Sequence, residues 1–142
     1  MPIVPSILLA VLLFSAPQTE RIIVHIATSD AVRFAQIVAR DEGYDIKNDK
    51  RFFVDLLDKQ GKPLLRGYTS IGFYINGNIR SSISISETTG QVVDMNSCEI
   101  FDYRDLRPFQ EQMIRLSKAK LKTAQELAAD AGCSPPKVLK RR

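Results

Sequence analysis

The sequence predicts an α+β fold: one amphipathic helix packed on a four-stranded antiparallel meander, followed by two short C-terminal helices. Three observations predict it. Apolar residues recur at helical spacing around Phe34. From Phe52 to Met95 they recur at every second residue between loops rich in Gly and Asn. After Cys98 the helical spacing returns.

The 142-residue chain opens on an unbroken apolar run, residues 7–14 (ILLAVLLF), followed by Ser15, Ala16 and Pro17. The run falls short of the roughly 20 apolar residues that a membrane-spanning helix needs. Pro2 and Pro5 in front, Pro17 behind and the lack of a polar face argue against a core helix. Residues 1–16 therefore read as an export signal, with the terminal amine as the only positive charge before the run. A single domain over residues 20–133 follows, then a basic flexible tail over residues 134–142. The expected location is outside the cytoplasm, periplasmic or secreted.

The net charge of +4 is concentrated. Of 20 basic residues, Lys137, Lys140, Arg141 and Arg142 stand in the tail, leaving 16 against 16 acidic residues elsewhere. The domain surface is thus neutral, and the basic character belongs to the C-terminus. Cys98 and Cys133 are the only cysteines. In a small exported domain they read as a disulfide, closing a loop of about 36 residues for about 3–4 kcal/mol on the chain-entropy model. The alternative is two separate buried thiols.

Residues 21–26 (RIIVHI) alternate too briefly to separate a strand from a lead-in. Thr28, Ser29 and Asp30 are N-cap candidates. Ala31, Phe34, Ala35 and Val38 then follow i, i+3, i+4, i+7, and Gly43 stops the helix. Phe52, Val54 and Leu56 begin the period-two region. Ile71, Phe73 and Ile75 form the next apolar set, Ile79, Ile83 and Ile85 the third, Val93 and Met95 the fourth.

One rule resolves the turns, because opposed residues of an antiparallel pair share a face. A three-residue loop Asn76-Gly77-Asn78 sets Ile75 against Ile79 and Ile71 against Ile83. Thr88-Thr89-Gly90 sets Ile85 against Val93 and Ile83 against Met95, and Lys59-Gln60-Gly61 sets Leu56 against Leu64. Each loop ends in Gly or Asn, which tolerate the left-handed conformation. The second strand, running from Lys62 to Ile75, must change parity, and Gly67 or Gly72 marks the bulge that allows it. Beyond Cys98, Leu106, Phe109, Met113 and Leu116 make one helical stripe with Pro108 in its first turn. Thr123 to Glu126 is a capping box, Ala124, Leu127, Ala128 and Ala131 make the next stripe, and Gly132 ends it.

The search for chemistry returns no catalytic, cofactor-binding or metal site. His25 is the single histidine, and no glycine-flanked nucleophile elbow accompanies it. Cys98, Cys133 and His25 lack zinc spacing. Residues 45–49 (DIKND) start like a calcium loop, but Lys50 stands where the glycine must be. Asp55 and Asp58 fall on opposite faces and make a poor acid–base pair. No phosphate-binding glycine motif occurs. Lys137, Lys140, Arg141 and Arg142, preceded by Lys118, Lys120 and Lys122, could touch an anionic lipid or cell-wall surface. Few aromatics interleave them, so specific nucleic-acid reading is not expected. The plainer reading is a solubilising end.

The helix AVRFAQIVARDEGY, followed by a meander that ends in Ser86-Glu87-Thr88-Thr89-Gly90-Gln91-Val92-Val93-Asp94, resembles the PepSY domains over Ser29 to Met95. The order also resembles cystatin-like folds, in which a sheet wraps one helix. The resemblance implies an exported module that restrains a peptidase or binds at the envelope, with no catalytic residues to transfer. The expected function is a non-catalytic binding module with a protein partner, a peptidase among the possibilities. The alternative is a small ligand-binding protein or hydrolase with a pocket between helix and sheet.

Overall fold

The computed structural model describes residues 26–44, 52–75 and 79–141. The export segment over residues 1–16, His25, the 45–49 turn, the Asn76-Gly77-Asn78 loop and Arg142 lie outside the described residues.

The first helix, α1 (Thr28–Asp41), buries Ala31, Phe34, Ala35, Val38 and Ala39, the stripe that its spacing predicts. Its N-cap is Ala27, with no side-chain cap bond, rather than one of the three polar residues that follow. Gly43, at φ +82°, ends it: the Gly43 N–H donates to the Arg40 carbonyl and the Tyr44 N–H to the Ala39 carbonyl, both at 2.9 Å. This paired reversal needs the left-handed residue that glycine supplies.

Six strands form one sheet among the described residues: β1 (Phe53–Asp55), β2 (Tyr68–Ile75), β3 (Ile79–Ser86), β4 (Val92–Asp94), β5 (Glu99–Tyr103) and β6 (Lys137–Arg141), in that order. All pairs are antiparallel except β5–β6. The expected four-stranded meander thus gains two strands. Helices α2 (Arg107–Ser117) and α3 (Ala124–Ala131) form the crossover that a parallel β5–β6 pair requires. Thr123 and Glu126 close the predicted capping box.

The β2–β3 register is the expected one, with Ile71 opposite Ile83 and Ile75 opposite Ile79. The Leu57–Pro63 bridge and the Asp58 N–H bond to the Lys62 carbonyl likewise leave Lys59-Gln60-Gly61 as a three-residue loop. The β3–β4 register differs by one residue: Ile85 faces Val92, and Val93 faces Ser84. The loop has four residues, because the Ser86 N–H closes on the Gln91 carbonyl and the Gly90 N–H on the Ser86 carbonyl, each at 2.9 Å. Val93 therefore lies on the opposite face from Ile71 and Ile83.

The second expected strand is also shorter. Continuing the Leu57–Pro63 register would set Val54 opposite Arg66, but it faces Ile71. A turn at Leu65, Arg66 and Gly67 takes up the difference, with Gly67 at φ +80° and the Tyr68 N–H bonded to the Leu65 carbonyl at 3.1 Å. Gly67, not Gly72, is the point of adjustment.

Both sheet faces are buried. One carries Ile71, Phe73, Ile83, Ile85, Val92 and Phe101 under α1, with Met113 of α2 joining the cluster. Phe109 lies 5.4 Å from Phe34, ring centre to ring centre. Among the described residues these side chains fill the space between α1 and the sheet. The other face carries Tyr68, Val93 and Ile100 under Leu127 and Ala131 of α3.

Candidate binding surface

Helix α3 covers only part of its face. Toward β5 and β6 that face opens into a groove of about 370 Å³, with Ile100 and Val138 beside Ile114 of α2, Leu121 of the linker and Leu127 of α3. Leu121 is 63% exposed and Val138 42%. Arg107, Asp102, Glu111 and Lys122 also line it. The Arg107 and Asp102 charged groups approach to 3.9 Å, a loose surface pair.

Local sequence explains why the groove stays open. Lys118 adopts φ +56° and ends α2. The linker is then held by Gln91, whose amide donates to the Lys122 carbonyl and accepts from the Lys122 N–H, each at 2.9 Å. Ser117 donates to the Thr88 carbonyl at 2.6 Å and Gln110 to the Gly90 carbonyl at 3.1 Å. The threonine-glycine turn thus serves as the dock for α2 and the linker. It fixes Leu121 at the groove instead of letting it collapse onto Val138.

Cys98 and Cys133 are bonded, with their Cα atoms 5.6 Å apart. The bridge joins the start of β5 to the end of α3. Residues 137–141, expected as part of a loose tail, are instead the strand β6. Lys137 stands opposite Glu99, Lys140 opposite Asp102 and Arg141 opposite Tyr103. Two of the tail charges expected to meet anions, Lys137 and Lys140, therefore stand opposite carboxylates of β5 on their inner side. Their outer side is the edge of the sheet among the described residues.

Three polar clusters surround the core. Tyr68 donates to Asp130 at 2.7 Å, and the Lys122 ammonium meets the same carboxylate while lying 5.4 Å over the Tyr68 ring. Burial, then the bond to Asp130, pushes the Tyr68 hydroxyl up. Burial raises Asp130, but hydrogen bonds from Lys122 and Tyr68 outweigh it and hold the carboxyl below its ordinary value. Tyr103 donates to Glu42, and burial followed by that bond raises its hydroxyl against the opposing pull of Arg141. Buried Asp55 pairs with Arg80, whose guanidinium lies 5.2 Å over the Phe53 ring. Each carboxylate is engaged in a structural bond. Among the described residues no group of three His, Cys, Asp or Glu side chains could hold a metal.

The disulfide and the basic residues were legible in the sequence; the groove was not. Ile114, Leu121 and Val138 come from three segments, and none stands in a recognisable stripe. The one available signal was Val138-Leu139, an apolar pair that includes a strand-favouring valine, between Lys137 and Lys140.

No family model matches the chain, and no curated protein matches it. Its fold is similar to that of a chain in the structure of a type VI secretion system effector-immunity complex from Pseudomonas protegens. The TM-score is 0.64 at 21% identity, over 78% of this chain and 91% of that one. At that identity the likeness is one of fold.

Proposed function

We propose that this chain is a non-catalytic exported module that binds a protein partner, as the members of an effector-immunity pair bind each other. The observation that carries the reading is the apolar groove beside β6, where Leu121 and Val138 stand exposed on a rigid, disulfide-closed frame. An exposed apolar patch rimmed by polar residues is a mark of an interaction site. The fold likeness to a chain of an effector-immunity complex supports the same reading. The apolar run over residues 7–14 and the disulfide support a place outside the cytoplasm. A peptidase partner, which the PepSY resemblance implies, is the narrower form of the proposal.

A photo-crosslinking side chain placed at Leu121, in the full chain expressed in its own cell, tests it. The expected result is one discrete adduct with a single protein. The same probe at Leu64, on the distant hairpin, should give none. Equal, diffuse labelling from both positions would overturn the proposal. Mass spectrometry of the adduct decides whether the partner is a peptidase.

A further inference from the structure

The outer edge of β6 differs from an ordinary sheet edge. The Lys137 N–H donates inward to the Cys98 carbonyl at 2.9 Å. In a parallel ladder successive residues turn their backbone groups to alternate sides, so Leu139 and Arg141 also face β5. Val138 and Lys140 turn their N–H and C=O groups outward. Among the described residues no strand lies beyond them. The strand is preorganised: Cys133 ties its approach to Cys98, and Leu139 packs against the core.

The charge on this edge is one-sided. β6 carries Lys137, Lys140 and Arg141 and no acidic residue. On its inner side Glu99 and Asp102 stand opposite Lys137 and Lys140. An added strand bearing carboxylates would continue the alternation outward, acid, base, acid, with opposite charges facing across each pair. Like charge disfavours the pairing of one β6 with another, the simplest rival being a second copy of the chain. Val138 points toward the groove, so an apolar side chain of the incoming segment would reach it from the same face.

We infer that the outer edge of β6 is a strand-addition site for an extended acidic segment of a partner protein, paired through the backbone of Val138 and Lys140. The inference rests on the protein-binding reading above and assigns that reading its second contact, next to the groove.

The test uses the full chain and a capped heptapeptide, Thr-Glu-Val-Val-Glu-Glu-Thr, whose Glu-Val-Val-Glu core sets carboxylates opposite Lys137 and Lys140 and apolar residues opposite Val138 and Leu139 in either strand direction, with two comparators. One has Lys in place of Glu; the other keeps the acids but is N-methylated at alternate amides. The acidic peptide should bind saturably, with amide shifts concentrated at residues 137–141. Affinity should fall about 10-fold or more as salt rises through the range where the screening length drops below about 10 Å. The Lys peptide and the methylated peptide should both fail to bind. Lys140→Pro removes an outward N–H without touching the β5 ladder and should abolish binding, while Lys140→Gln should only weaken it. The methylated peptide keeps the inference falsifiable even if Lys140→Pro disturbs β6, because the protein is then unaltered. No binding of the acidic peptide, equal binding of the methylated one, shifts elsewhere on the surface, or self-association through β6 would each overturn it. If the Leu121 adduct forms while the peptide fails, this inference falls and the protein-binding reading stands. If Leu121 captures nothing, the reading itself falls.

Discussion

The backbone N–H of Lys137 donates to the carbonyl of Cys98, the residue that the disulfide holds to Cys133. The first residue of β6 and the end of α3 are therefore fixed at one point at the start of β5. The bridge does more than close a loop: it sets where the last strand joins the sheet. Replacing both cysteines by Ser should cost about 3 kcal/mol through the freed loop. Amide exchange at residues 137–141 should also rise far more than at β2 or β3. Uniform exchange across the sheet would contradict this placement.

Two glycines should respond differently to a methyl group. A Cβ on Gly72 would meet the Phe53 ring at 2.5 Å and an Asp55 oxygen at 2.8 Å. The ring is the free end of a half-buried side chain and can swing away, so Gly72→Ala should cost about 1 kcal/mol and unstack Arg80. A Cβ on Gly90 would meet Met113 Sδ at 2.9 Å and the backbone Cα of Gln110 at 3.2 Å, at φ +72°. Backbone cannot yield as a ring can, and the left-handed conformation adds its own penalty. Gly90→Ala should cost about 2–3 kcal/mol and loosen α2 from the turn. Denaturant midpoints in the reverse order would disprove this account.

Legibility followed how strictly one residue choice fixed one geometry. Ile71, Ile75, Ile79 and Ile83 admit one pairing that keeps the apolar set together, and the structure shows that pairing. Val92 and Val93 are equivalent to any pattern, so a one-residue shift still puts a valine in each core. The shift was decided by Ser86, whose hydroxyl accepts from the Thr88 and Thr89 N–H groups and starts the turn one residue early. The strand β5 was hidden because Ile100 and Phe101 are buried on opposite faces, which erases alternation. β6 was hidden because its cations look like a solvated tail, while its pairing depends on a disulfide and two helices. The groove needed all of these at once.

Ser82 is 6% exposed, and its hydroxyl finds no hydrogen-bond partner among the described residues. It sits opposite Gly72, the glycine that the Phe53 ring covers. Ser70 and Ser84, on the same face, satisfy each other at 2.7 Å. Removing an unsatisfied hydroxyl removes its desolvation penalty, whereas removing one partner of a bonded pair creates one. Ser82→Ala should therefore be neutral or stabilising by up to about 1 kcal/mol, and Ser84→Ala destabilising by about 1–2 kcal/mol. Chemical denaturation of the two variants checks the contrast, and a loss at Ser82 equal to that at Ser84 would refute it.

The polar clusters predict the shape of the pH–stability profile. Asp130 titrates lower in the folded chain than its ordinary 3.8, because the bonds from Lys122 and Tyr68 outweigh burial. The folded state then binds fewer protons than the unfolded one in this window. The contribution is present above about pH 4 and is lost as pH falls through the lowered value. Tyr68, Tyr103 and Tyr44 titrate above their ordinary 10.0, burial being the largest cause in each. For them the folded state holds its protons longer, so their contribution is present below about pH 10 and is lost as pH rises beyond it. Asp130→Asn should flatten the acid limb and, by removing the bond that helps raise the Tyr68 hydroxyl, soften the alkaline limb as well. Tyr103→Phe should flatten part of the alkaline limb alone. Melting temperature measured from pH 2 to pH 11 separates the two, at roughly one-unit steps. An Asp130→Asn profile parallel to that of the native chain below pH 4 would show that Lys122 and Tyr68 do not hold that carboxylate.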